Sequence, residues 1–180
     1  MEKQKTISRV EKIDTPVTSS QLFFGLAKIC FYSRGFKTIF DLFFAAILLI
    51  MSFPLWVFIA LLIKLDSKGP ILYKQTRLGE NSQQFYLIKF RTMVQNAEQE
   101  SGPIWTKEND SRMTSVGKWL RRFYLDEIPQ LFNVLKGEMS IVGPRPERPF
   151  FVEKLVAKYP CYLDRLLVKP GITGLAQVNL

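Results

Sequence analysis

LFFAAILLIMSFPLWVFIALLI, Leu42 to Ile63, is a run of twenty-two residues without a charge. As a helix it would be about 33 Å long, matching the roughly 30 Å hydrocarbon core of a bilayer. Leu, Ile and Phe dominate all round such a helix, which excludes a soluble amphipathic one. Some forty residues precede the run, and it is too long for a secretory leader. Membrane insertion is the reading that length and charge support. Pro54, near the middle, cannot donate to the Ile50 carbonyl and costs about 3 kcal/mol in a regular helix, so a kink is expected. Ser52 can bond back to a nearby carbonyl and relieve the freed backbone. Lys28, Arg34 and Lys37 lie before the run, and Lys64 and Lys68 after it. Both ends therefore look cytoplasmic by the positive-inside rule. Two arrangements remain open on these grounds: a helix that dips in, bends at Ser52 to Pro54 and returns, or a kinked single span.

Outward from the run, the amino-terminal residues are polar (MEKQKTISRVEKIDTPVTSSQ) and then mixed apolar and basic (LFFGLAKICFYSRGF). Disorder followed by an interfacial helix is the economical reading. The whole chain of 180 residues carries a formal charge of +9, with a pI near 9.6. An anionic partner is implied: nucleic acid, an anionic membrane surface or a phosphorylated substrate. Histidine is absent. That removes Ser-His and Cys-His nucleophile pairs and any His-ligated zinc, leaving carboxylates, Lys, Tyr and Arg for acid-base chemistry. Cys30 and Cys161 show no metal-binding spacing and no disulfide framework, which fits a reducing compartment.

Beyond Gly69, ILYKQTR and QQFYLIKFRTM are rich in β-branched and aromatic residues, and LGENSQ between them has turn composition: a β-hairpin. Residues 93 to 113 read as a polar loop. Thr114 or Ser115 can cap a helix through VGKWLRRFYL, with Val116, Trp119, Leu120 and Phe123 on one face and Lys118, Arg121 and Arg122 on the other. That helix either lies on anionic lipid or packs on the core with its cations solvated.

The paired carboxylates Asp126 and Glu127 follow. Proline belongs in the first turn of a helix, so Pro129 predicts a new helix from about Asp126 to a Gly137 cap. At that helix start, negative charge or a bound phosphate is favoured, although Asp is also simply a common cap. In VGPRPERP, Pro144 and Pro146 stiffen the backbone around Arg145, whose planar guanidinium suits bidentate phosphate recognition. In VKPGITGLAQVN, amides around Pro170, Gly171 and Gly174 could form an anion-binding concavity or an ordinary turn.

KFRTM at Lys89 to Met93, YLDEIPQLFNVLKGEMSIVGPRP at Tyr124 to Pro146 and KPGITGLAQVN at Lys169 to Asn179 together resemble the bacterial sugar transferase family, the monotopic polyprenyl-phosphate phosphoglycosyl transferases. The resemblance runs from about Phe36 to Asn179. It implies an α+β, membrane-associated fold: a re-entrant amino-terminal membrane helix, a β-hairpin and several amphipathic or interfacial helices. The divisions are an extension at 1–35, the membrane helix at 36–66 and a cytoplasmic catalytic domain at 67–180. It also implies transfer of a sugar 1-phosphate from a UDP-sugar to undecaprenyl phosphate on the cytoplasmic face of the bacterial inner membrane, with UMP released and cell-surface glycan assembly begun. Magnesium and a covalent phosphosugar intermediate on Asp126 come with it. Glu127 is then assigned to the metal, with Asp126, or to positioning. Arg145, Lys89, Arg91 and Arg121 become the expected phosphate or headgroup contacts, with Pro144 and Pro146 framing Arg145. Nucleic acid is not expected. The family's helix bends at a Ser-Pro, whereas here Phe53 separates Ser52 from Pro54. Relatives continue past the VN of the last motif, whereas this chain stops at VNL. A truncated, catalytically inactive, membrane-bound interaction protein is accordingly the alternative to an active enzyme.

Overall fold

The computed structural model describes residues 34–97 and 110–178. The expected interfacial extension before Arg34, the centre of the polar loop and Asn179 lie outside the described residues. Two compact units divide the chain, Met1–Lys37 and Thr38–Leu180. Of the first, Arg34 to Lys37 are described, and they form the opening turn of helix α1 (Arg34–Asp66).

Helix α1 is helical throughout its 33 residues, Pro54 included, and so reaches about 50 Å. The expected interruption at Ser52 to Pro54 is therefore not a gap in the helical backbone. In the turn where Pro54 leaves Ile50 without its usual donor, the Ser52 hydroxyl donates to the Leu49 carbonyl at 3.2 Å. One face of the helix is buried. Ala45 packs with Phe85, Leu87, Leu131, Val134 and Met139, while Ile59 and Ile63 pack with Phe90 and Leu120. Trp56 meets the rings of Phe90 and Phe132 edge-on, at 4.8 and 5.4 Å. The other face is open, with Ile50 73% and Met51 74% exposed.

Strands β1 (Leu72–Leu78) and β2 (Gln84–Phe90) form the antiparallel hairpin that β-branched and aromatic content and turn composition predict, with Tyr73 opposite Lys89. Asn81 and Ser82 take positive φ in the turn, as a tight reversal needs. Helix α2 (Ser115–Arg122) is capped as expected: the Thr114 hydroxyl accepts from the Gly117 amide. Its expected apolar face divides. Val116 and Leu120 pack inward, whereas Trp119 and Phe123 are 42% and 55% exposed. Gly117 lies against the chain at Thr92, where a Cβ would come within 2.1 Å of the Thr92 carbonyl oxygen.

The helix expected from Asp126 to Gly137 is two pieces. A 3-10 turn, Leu125–Glu127, precedes helix α3 (Gln130–Leu135), with Pro129 at its N-cap. Pro129 has no N–H to give the Leu125 carbonyl, and that carbonyl accepts instead from the Ile128 amide at 3.4 Å. Gly137, at φ +77, ends α3 as predicted.

Strands β3 (Ser140–Val142) and β4 (Gly171–Thr173) pair in parallel, so Gly171, left open as part of an anion-binding concavity or an ordinary turn, begins a short strand instead. The Gly171 amide donates to the Pro144 carbonyl and the Gly143 amide to the Thr173 carbonyl. These amides are consumed by backbone pairing. Gly143 and Gly171 allow the close approach, since a Cβ on Gly171 would lie 2.1 Å from the Gly143 nitrogen. Helix α4 (Pro149–Lys158), a 3-10 stretch (Pro160–Leu167) and helix α5 (Leu175–Val178) complete the described chain, a mixed helix and strand fold with one long apolar helix.

Candidate active site

Asn133, fully buried on α3, docks that helix onto the free edge of β2. Its side-chain oxygen accepts from the Ile88 amide at 3.1 Å, and its nitrogen donates to the Tyr86 carbonyl at 2.8 Å and to Glu138 at 2.6 Å. The side chain thus supplies what a neighbouring strand would. With α3 fixed there, the 3-10 turn ahead of it sets Asp126 and Glu127 beside Lys89 of β2. Tyr124, just before, holds φ 56, an uncommon conformation for a bulky residue, and turns the chain from α2 into the dyad.

Both carboxylates are buried, Asp126 being 5% and Glu127 7% exposed, but their surroundings differ. Glu127 Oε1 accepts from Lys89 Nζ at 2.6 Å and from Arg145 Nη2 at 2.6 Å, and Arg145 Nη1 reaches Oε2 at 3.5 Å. Asp126 makes no ion pair among the described residues; apart from its own backbone amide its carboxylate has no hydrogen-bond partner there. Burial pushes the Asp126 carboxyl up, the Glu127 charge adds to this, and Lys89 and Arg121 offset part of it. Burial alone would raise Glu127 too, but Lys89 and Arg145 outweigh it and hold Glu127 below the usual carboxylate range. Burial pushes the Lys89 ammonium down, its pairing with Glu127 compensating only partly. The two acidic side chains are thus neighbours with opposite tasks open to them: one pinned between two cations, the other available.

Lys89, Arg121, Asp126, Glu127 and Arg145 line one cleft of about 840 Å³, together with Arg77, Arg91, Glu147 and Arg148. Cations outnumber carboxylates on these walls by six to three, which suits a ligand carrying several negative charges. Arg121 is oriented by Thr92, whose hydroxyl accepts from its Nε at 2.9 Å. Arg91 also reaches the cleft, but its guanidinium is given to the end of α1, donating to the carbonyls of Ile63, Ser67 and Lys68. There it caps the carboxyl end of α1, where the Ile63 carbonyl also accepts from the Ser67 amide, and meets the negative end of the helix dipole. Pro144 and Pro146 frame Arg145 as expected, and Pro146 is buried. Ser52 lines a second, more apolar cavity of about 460 Å³ with Leu48, Ile128, Leu131 and Ile172; Pro54 does not line it. Tyr124 and Glu127 are common to both cavities.

No group of three or more His, Cys, Asp or Glu side chains converges among the described residues, so no all-protein metal cage exists there. Asp126, with one oxygen of Glu127 beside it, offers the one or two carboxylates by which Mg²⁺ is ordinarily held when phosphates complete its shell. The residues present fit the ion in that form. Thr92, Tyr124, Asn133, Arg77 and Glu147 were not singled out by sequence reasoning. Tyr124 alone carried a local signal, as the residue joining a basic helix to the Asp-Glu pair.

The family described as bacterial sugar transferase matches residues 32–180. A UDP-N-acetylgalactosamine-undecaprenyl-phosphate N-acetylgalactosaminephosphotransferase of Aeromonas hydrophila is 45% identical over 148 residues, covering 82% of this chain and 34% of its own. A UDP-glucose:undecaprenyl-phosphate glucose-1-phosphate transferase of Klebsiella pneumoniae is 43% identical, over 80% of this chain and 31% of its own. The exopolysaccharide production protein PSS of Rhizobium leguminosarum bv. phaseoli is 45% identical, over 79% of this chain and 73% of its own. The chain thus spans about a third of the length of the first two relatives and nearly three quarters of the third.

Proposed function

Since the chain belongs to the bacterial sugar transferase family, we propose that it transfers a sugar 1-phosphate from a UDP-sugar to undecaprenyl phosphate through an aspartyl intermediate on Asp126. The observation that carries this reading is the unequal dyad. A nucleophile needs an oxygen with its lone pairs free, and Asp126 has one while Glu127 is held by Lys89 and Arg145.

Both substrates are anions, and a direct encounter would bring two phosphates together. Two steps avoid it. An Asp126 oxygen bonds to the phosphorus of the sugar phosphate as the bond to the UMP oxygen breaks, and UMP leaves with that electron pair. A lipid phosphate oxygen then bonds to the same phosphorus, the acyl phosphate bond breaks, and the Asp126 carboxylate is restored. Lys89, Arg121 and Arg145 would meet the charge that spreads over the phosphoryl oxygens. Glu127 holds two of those cations in place. Magnesium, held by Asp126, an oxygen of Glu127 and the substrate phosphates, would neutralise further charge. The apolar cavity behind Tyr124 and Glu127, walled by Leu48 and Ser52 of α1, suits the isoprenoid end of the acceptor.

The placement of α1 supports a re-entrant helix at the cytoplasmic face of the inner membrane. Asp41 accepts from the Ile141 amide and Asp66 from the Val116 amide. These points are about 37 Å apart along a straight helix. A full span would carry two points of one folded unit to opposite faces of the bilayer, whereas a helix that enters and leaves on one side would not.

Membranes containing the protein, given undecaprenyl phosphate, magnesium and a panel of UDP-sugars, should form a lipid-linked sugar diphosphate and UMP with at least one sugar. Absence of transfer across the panel would refute the enzyme reading and leave an inactive interaction protein.

A further inference from the structure

Arg145 reaches Glu127 on a long side chain that is 42% exposed, so its aim depends on the backbone beneath it. That backbone, Pro144 to Glu147, belongs to no helix or strand. Two of its four residues are prolines and have no N–H, so carbonyls are its principal anchors. All four carbonyls are taken, each by a different residue. The Gly171 amide donates to Pro144 and the Leu78 amide to Glu147, both at 2.9 Å. Arg165 Nη2 donates to the Arg145 carbonyl, and Arg77 Nη1 to the Pro146 carbonyl at 3.1 Å.

We propose that Arg77 and Arg165 are positioning residues that hold the Arg145 loop from two sides and so keep its guanidinium on Glu127 at the transfer site. Arg77 is fixed in turn: its Nη2 donates to Gln75 at 2.6 Å and its Nη1 also reaches the Glu147 carboxylate at 3.4 Å. Although it lines the cleft, both of its terminal nitrogens are engaged within the protein, which distinguishes it from Arg121, whose bond to Thr92 runs through Nε. Arg165 lies over the Tyr162 ring at 4.5 Å and donates to its hydroxyl. Two guanidinium groups, locked by different elements, thus grip adjacent peptide units. A lysine at either place has one ammonium and no planar fork, and cannot keep the same set of bonds.

The inference rests on Arg145 acting in the proposed transfer, and a mutant cycle separates the two. Arg77→Lys and Arg165→Lys are made in the full chain, each alone and with Arg145→Lys, and transfer kinetics and thermal melting are measured in each. Arg145→Lys alone should lower kcat/KM by roughly ten- to a hundredfold, the range for a lost charged hydrogen bond. Each positioning variant alone should lower it about tenfold, mainly in kcat, with melting close to that of the unaltered chain. Combined with Arg145→Lys, neither should reduce it further, because an effect exerted through Arg145 vanishes once Arg145 is altered. Factors that multiply in the double variants, or unaltered kinetics in both Arg77→Lys and Arg165→Lys, overturn the proposal while leaving Arg145 in its role. Unaltered kinetics in Arg145→Lys itself overturn both. If Arg77→Lys does not fold, the cycle with Arg165, which is reached from the surface side, decides alone.

Discussion

At the scale of single residues, the two carboxylates of the dyad should answer to substitution in opposite ways. Asp126 is buried without an ion-pair partner and its carboxyl is pushed up, so the folded state holds its proton more tightly than the unfolded one. The stability this group contributes is present at acid pH and is lost as pH rises through its raised folded value. Asp126→Asn removes a poorly compensated buried charge, and should raise the melting temperature at neutral pH while abolishing both transfer and the labelled protein adduct formed from UDP-sugar without lipid acceptor. Glu127 has the reverse sign. Its pKa is lowered, so its contribution is present above the ordinary glutamate range and is lost as pH falls through the depressed folded value. Glu127→Gln should therefore lower the melting temperature at neutral pH, slow the reaction and still permit adduct. Melting curves that move the same way in both variants would contradict this division of labour. The acid limb of kcat/KM should likewise lie above the range of an ordinary aspartate, because the proposed transfer requires Asp126 to be ionised. Lys89, Asp126, Glu127 and Arg145 were legible as residue types in motifs. Which carboxylate is pinned was not, because Lys89 and Arg145 lie 38 and 18 residues from Glu127 in the chain. Arg91 shows the same limit. It stands two positions from Lys89, yet β2 ends at Phe90 and the next side chain but one turns to α1 instead.

At the scale of elements, Asn133 is the joint between the strand that carries Lys89 and the turn that carries the dyad. Asn133→Leu keeps much of the volume but leaves the buried Ile88 amide and the part-buried Tyr86 carbonyl without their partners, at about 1–3 kcal/mol for the buried amide and less for the carbonyl. Denaturant unfolding should register a loss of that order, and transfer should fall with it, since Lys89 and Glu127 would no longer be held 2.6 Å apart. Stability equal to the unaltered chain would mean that α3 is seated by its apolar residues alone. Thr114→Ala, which loses only a helix cap, should cost about 1 kcal/mol and serves as the calibrating variant. The elements that could be read were those with a local code: the β-branched and aromatic segments and turn composition of the hairpin, the Thr114 cap and the Gly137 stop. The parallel pair of β3 and β4 could not be read, because three-residue strands carry no period and their glycines also suit a turn. The shift from one helix to a 3-10 turn plus α3 was half legible. Pro129 announced a boundary but not that the carboxylates would fall on its far side.

At the scale of the whole molecule, the question is how a 33-residue apolar helix sits against the unit that carries the basic cleft. The charge-free run identified the helix, but neither its length nor its flanks could choose between crossing and returning. The choice depends on contacts remote in sequence: Asp41 with Ile141, Ala45 with the core around Val134, Ile63 with Leu120 and Asp66 with Val116. Each ties a different level of the helix to the same folded unit, which holds the site residues. A spanning helix would have to break the contacts at one end, parting the buried Asp41 from the Ile141 amide or Asp66 from the Val116 amide. A returning helix keeps both. Single cysteines placed at Lys37 and Lys68, in a chain with Cys30 and Cys161 replaced, should both resist a membrane-impermeant maleimide in intact cells and both react after lysis. Pro54→Leu, which restores the donor for the Ile50 carbonyl and removes the cause of a bend, should bring position 37 to the outer face in a fraction of molecules, with activity lost in proportion as Asp41 parts from Ile141. Labelling of position 37 in intact cells without the Pro54 substitution would establish a full span, and the contacts at Asp41 would then have to be absent in the membrane.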